Sequence, residues 1–203
     1  MFRIAALLLA VSLAVPALAQ VEHCLDQQIV GGPDAPAPLI TGWQWAQTFT
    51  CEAGGVLSRI EAEVDASATT SGTVTLQLRS TVSLHPDSGD AALLASADLL
   101  IDGGAGVQSL VLDLVGSDVV VYPGDVLSLV LVSDTAGYDV FTAPRWQGFE
   151  TAAYDGGGAY YRVPLLDWVA QDHMDLHLGV YLDCATPTET ESWSAVKALF
   201  GRE

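Results

Sequence analysis

The run VLSLVLVS, Val126–Ser133, is apolar at both parities: Leu127, Leu129 and Leu131 alternate with Val126, Val130 and Val132. A strand with one wet face would carry polar residues at one parity, so this run predicts a strand deep in a sheet. Another apolar run, Val119-Val120-Val121, precedes it across Tyr122-Pro123-Gly124-Asp125. Proline there presets φ and glycine accepts a positive φ, so the two runs predict a central hairpin around that turn.

Other segments alternate in the same way. In residues 56–66, Ile60, Ala62 and Val64 face one side, and Arg59, Glu61, Glu63 and Asp65 face water. A helix is excluded there, because the acidic residues would then surround the cylinder. Residues 73–80 turn Val74, Leu76 and Leu78 inward and Thr75, Gln77 and Arg79 outward; residues 43–50 place Trp43, Trp45, Gln47 and Phe49 on one face. Residues 91–101 are rich in Ala and Leu, which favours helix, yet their short length and strand neighbours predict a strand from about Leu93. Residues 107–115 point Leu110, Leu112 and Leu114 inward. The closing segment, 174–183, turns Met174, Leu176, Leu178, Val180 and Leu182 inward and Asp175, His177, Gly179 and Tyr181 the other way. Together these predict an all-β, jelly-roll-like β-sandwich of about eight strands over residues 43–184.

The flanks read differently. Residues 1–19 have a basic Arg3, an apolar stretch and Ala17-Leu18-Ala19 before Gln20, the pattern of a cleaved signal peptide, too short to span a bilayer. The expectation is a secreted, cell-surface or periplasmic protein with no membrane span in its mature chain. Residues 20–42 form an N-terminal arm, whose GGPDAPAP stretch is too rich in Gly and Pro to be regular. Residues 185–203 are a polar linker and a short amphipathic helical tail, with Ser192 as N-cap and Trp193, Val196, Leu199 and Phe200 on one stripe.

Charge narrows the partners. With 25 Asp and Glu against 7 Lys and Arg, the formal charge is −18, a surface that repels nucleic acid and anionic lipid. Solubility accounts for such a surface; the alternative is a divalent cation held by clustered Asp. In an exported chain, Cys24, Cys51 and Cys184 predict one disulfide and one free thiol, with three pairings open. Cys24 precedes the first sandwich strand and Cys184 follows the last, and domain termini often lie close together, so Cys24–Cys184 is the expected bridge. Were the first strand paired antiparallel with the last, Cys51 would lie a strand length from Cys184.

A family resemblance rests on the order of several landmarks. Gln47-Thr48-Phe49-Thr50 is followed by Gly55 and an amphipathic strand, then Leu94-Ala95-Ser96-Ala97, then Val121-Tyr122-Pro123-Gly124-Asp125-Val126-Leu127. Tyr154-Asp155-Gly156-Gly157 precedes the closing Asp175-Leu176-His177-Leu178-Gly179-Val180-Tyr181. This order resembles the "choice-of-anchor" class of bacterial extracellular β-sandwiches, similar in outline to carbohydrate-binding modules. The resemblance implies a jelly-roll-like fold and a place at the cell surface. Leu178 departs from it, since that class has a large aromatic there, and the tail departs from its C-terminal sorting signal with a hydrophobic span.

Candidate chemistry is sparse. No Ser sits in a G-x-S-x-G elbow, and Glu150, Asp155, Asp167 and Asp172 are carboxylates without a motif, so no catalytic residue is assigned. His173, Asp175 and His177 alternate along one strand and would emerge on one face within about 14 Å, the geometry of a metal site if a neighbouring strand adds a ligand. As a strand's outer face, they need no metal. The aromatics Trp146, Tyr154, Tyr160, Tyr161 and Trp168 fall between strands, beside Arg145 and several Asp and Gln. Flat rings with polar neighbours suit an extracellular glycan, and Gly156 to Gly158 would let backbone approach it. The same rings could instead plug one end of the sandwich. Two functions therefore stand: a non-catalytic structural or adhesive module binding a cell-surface component, or a glycan-binding module.

Overall fold

The computed structural model describes residues 22–150 and 154–184. The expected signal peptide and the expected linker and helical tail lie outside the described residues. The longer strands are β1 (His23–Ile29), β2 (Gln44–Thr50), β3 (Gly55–Asp65), β4 (Gly72–Val82) and β5 (Leu93–Ile101). They continue with β6 (Val107–Asp113), β7 (Val126–Ser133), β8 (Ala159–Arg162) and β9 (Leu178–Asp183). One sheet runs β1, β9, β3, β6. The other runs β8, β2, β7, β4, β5, with Val169–Gln171 beyond β8. These neighbours pair antiparallel, and the fold is the expected all-β sandwich.

The core lies between the sheets. Phe49, Leu76, Leu78, Leu129 and Leu131 from one sheet meet Leu57, Ile60, Leu112 and Val180 from the other, all essentially without exposure. Strand β7 is covered from Leu127 to Ser133 at both parities, as its sequence predicts. The Tyr122–Asp125 turn also forms: the Asp125 N–H donates to the Tyr122 carbonyl at 3.0 Å, and Gly124 takes φ 91. It does not close a hairpin. Val120–Val121 pairs with Gly55 and Val56 in the first sheet, whereas Val126–Ser133 lies in the second. Val121 enters the core and the Leu57 N–H bonds the Val119 carbonyl, so the corner carries the chain between layers.

The arm is more regular than its glycines and prolines suggest. β1 adds to β9, and Ala37–Pro38 pairs with Arg145–Trp146. The Gly- and Pro-rich stretch begins only after Ile29, and the second backbone edge of β9 needs hydrogen-bond partners, which β1 supplies. This pairing places Cys24 opposite Leu182, two residues before Cys184, and the Cys24–Cys184 disulfide forms with Cα atoms 5.6 Å apart. Cys51 is free and buried. The bridge forms through β1, because β2 pairs with β7 and β8 rather than with the last strand. The closing segment is also split at His177: Asp175–Leu176 pairs with Gly148–Phe149, and β9 starts at Leu178.

Candidate functional site

The aromatic candidates divide by direction. Trp146 is fully buried, its indole Nε1 donating to the His177 carbonyl at 2.8 Å. Its expected role as a ligand platform is therefore corrected: it lies on the short strand Arg145–Trp146 beside β3, with its ring in the core. Tyr161 points inward from β8, its ring 6.1 Å from Trp43 and 5.4 Å from Trp45. Tyr154 packs against the core, and its hydroxyl accepts the Thr50 N–H at 2.9 Å; burial raises its pKa. These three rings serve the interior.

Tyr160 and Trp168 lie on the outer face of the second sheet. The register sets Tyr160 beside Ala46, then Val130, then Gln77, and in the next row Arg162 beside Gln44, Val132 and Thr75. Small side chains in the middle leave a shallow trough. Ala46, Val130 and Val132 are buried in it, with Tyr160 and Trp168 packed against them. The turn over residues 83–92 crosses the trough, burying Pro86 and bringing the His85 ring 5.1 Å from Tyr160.

Two arginines fasten this turn. Arg79 Nη1 donates to the carbonyls of Asp87 at 3.2 Å and Gly89 at 3.1 Å, while its Nε donates to Gln77. Arg162 donates to Ser88 Oγ and to Gln44, and its guanidinium lies 5.1 Å from the centre of the Trp168 ring. Trp168 Nε1 reaches the same Ser88 hydroxyl at 3.0 Å. Burial lowers the pKa of Arg162, and repulsion from Arg79 adds to the shift. Sequence reasoning placed Arg79 outward but assigned no role to it, to Arg162 or to Ser88. The available signal was an outward Arg79 in a chain this poor in cations.

Tyr160 stands between two open clefts. One, of about 240 Å³, is lined by Gly157, Gly158, Ala170, Gln171 and Asp172. The other, of about 170 Å³, is lined by Thr48, Thr50, Leu84, Val126 and Asp155. Burial raises the Tyr160 pKa, a hydrogen bond with Thr48 opposes that shift, and nearby Asp172 adds to it. Asp155 and Asp172 are exposed, as are Glu150 and Asp167. The glycine run does not serve a ligand at its centre: a Cβ on Gly157 would collide with the Thr48 carbonyl, so this glycine permits close packing against β2.

The metal triad does not assemble. His173 is exposed, whereas Asp175 and His177 are buried. Asp175 accepts from the Tyr154 N–H at 3.2 Å and from Gln47 Nε2 at 3.4 Å. Gln47 Oε1 in turn accepts the Leu176 N–H. His177 turns elsewhere, with Nδ1 3.1 Å from Glu63 and Nε2 accepting the Gly31 N–H at 3.1 Å. The break at His177 separates the side chains that a continuous strand would align, and no cluster of metal-ligating side chains occurs among the described residues. No helix among the described residues is long and apolar enough to cross a membrane. No protein-family model matches this chain, and no curated protein matches it.

Proposed function

We propose that the chain is an exported, non-catalytic β-sandwich module with a structural or adhesive role at the cell surface. The observation that carries this reading is the commitment of Trp146, Tyr154 and Tyr161 to the interior, which removes most of the ligand platform that a glycan-binding module would need. A disulfide that ties β1 to the end of β9 fits an oxidising compartment and a domain built to persist there. The choice-of-anchor resemblance points the same way.

The two clefts beside Tyr160 favour a second reading, glycan contact on the outer face of the second sheet. Sugar C–H edges would stack on Tyr160 or Trp168, and hydroxyls would meet Asp155, Gln171 or Asp172. A glycan-array screen of the wild type, Tyr160→Ala and Trp168→Ala decides between the two. The structural reading expects a blank array for all three; specific binding lost in either variant without loss of folding would replace it with the glycan reading.

A further inference from the structure

The edge of the second sheet carries an unused pairing surface. Strand β5 pairs with β4 along one side, and no strand among the described residues occupies its other side. An unpaired row of N–H and C=O groups is a template for another strand, which natural proteins blunt with short length, Lys, Pro or a bulge. β5 spans Leu93 to Ile101, LLASADLLI, with no Lys and no Pro, and Asp98 is its one charge. Its bulge lies at the N-terminal end, where Leu78 pairs with Ala95 but Arg79 with Leu93, leaving residues 95–101 in regular register. Leu94 is 41% exposed and Leu100 83% exposed.

The strand is self-complementary. About a two-fold axis at Ala97, antiparallel pairing of β5 with itself sets Ala97 on Ala97, Ala95 on Leu99 and Ser96 on Asp98, and brings Leu100 towards Leu94. No two aspartates then face directly, and each Asp98 meets a hydroxyl. In a chain of net charge −18, this edge brings a single carboxylate per copy to the contact, and the two are diagonal neighbours rather than directly opposed. We infer that β5 is a homodimerisation edge, joining the second sheets of two copies into one continuous sheet across a two-fold axis. The occupant is a second copy rather than a foreign strand, because the self-complementarity lies within β5. This goes beyond the structural reading and stands whether or not the module binds glycan.

The remaining acidic surface opposes association at long range, and salt screens it, so dimerisation strengthens with ionic strength. Sedimentation velocity on the purified exported chain, at rising protein concentration in low and high salt, measures this directly. The wild type is expected to dimerise, more tightly in high salt. Leu100→Lys, at an exposed position, should return it to monomer with an unchanged melting temperature. Ser96→Lys should tighten the dimer several-fold by setting a lysine opposite Asp98 in each of the two symmetric pairs. Leu165→Lys adds the same charge at a fully exposed loop residue and measures what reduced net charge alone contributes. A wild type that stays monomeric in high salt overturns the inference. So does a dimer that Leu100→Lys leaves intact, or one that Ser96→Lys strengthens no more than Leu165→Lys does.

Discussion

The first sheet turns Arg59, Glu61, Glu63 and Tyr181 outward from β3 and β9, and they remain at least partly exposed; the second turns Ala46, Thr48, Ser128 and Val130 outward from β2 and β7, and all four are buried. The difference follows from side-chain length. On the first sheet, long polar side chains satisfy one another at the surface. Arg59 meets Glu61 at 2.6 Å and stacks 4.6 Å from the Tyr181 ring centre, and the Tyr181 hydroxyl donates to Glu61 at 3.1 Å. On the second sheet, short side chains leave a trough that must be filled from outside, by Tyr160, Trp168 and the turn that Arg79 and Arg162 hold. On these central strands, an outward side chain is thus wet where its neighbours are long enough to form the surface themselves and covered where they are not.

The interior sets the scale for testing this contrast. Trp146→Ala removes a fully buried ring and its hydrogen bond to the His177 carbonyl. The expected loss is about 3–5 kcal/mol in urea unfolding, against a stability of about 5–15 kcal/mol for a typical domain. A loss below about 1 kcal/mol would mean that the ring is not a core element and would make it a surface candidate again.

Val130→Ala probes the trough directly. Removing two methyl-sized groups from a buried site costs about 2 kcal/mol, whereas the same change on a wet strand face costs almost nothing. The expected result is the core-like value, with Arg79→Ala lowering it by freeing the covering turn. If Val130→Ala is neutral in urea unfolding, the second sheet's outer face is as open as the first.

Much of this contrast was legible in the chain. The apolar residues at both parities of β7 announced a doubly covered strand, and the outward charges of β3 announced an exposed face. What covers β7 was not legible, because residues 83–92 and Trp168 are distant in sequence and neither shows a periodic pattern. Three of the aromatic candidates, Trp146, Tyr154 and Tyr161, face the interior, and the sequence left their direction open for a related reason. Their position between long strands is the same whether a ring plugs the core or faces solvent; direction is set by pairings as short as Arg145–Trp146, below the length at which periodicity can be read. The metal triad was read from an uninterrupted alternation that the break at His177 ends.

Cys51 tests the joint between the sheets, where β2 leads into β3. Burial, then the nearby carboxylates of Asp26 and Asp125, push its thiol from 9.0 up to about 12. Because the folded state holds this proton more tightly than the unfolded one, the stability it contributes is fully present below pH 9.0 and is lost as pH rises towards about 12. The native thiol should therefore resist iodoacetamide near pH 9.0 and react promptly once urea unfolds the chain. Equal labelling of native and unfolded protein would show that the joint is open to solvent.

The smallest expected effect belongs to the first sheet's outer face, and it sharpens the contrast most. Arg59 has an ion pair, a ring beneath it and a side chain 33% exposed. Its buried Nε nevertheless has no hydrogen-bond partner among the described residues. An ion pair open to solvent contributes about 0–1 kcal/mol, and an unmet donor offsets part of that. Arg59→Met keeps an unbranched apolar stem over the Tyr181 ring and discards both the charge and the orphan donor. Its expected effect in urea unfolding is under about 1 kcal/mol in either direction, smaller than that of Val130→Ala although Arg59 is the larger side chain. If Arg59→Met instead proves the more damaging substitution, the charged face rather than the covered trough is the structural one. Length of side chain would then fail as the explanation of the difference between the two sheets.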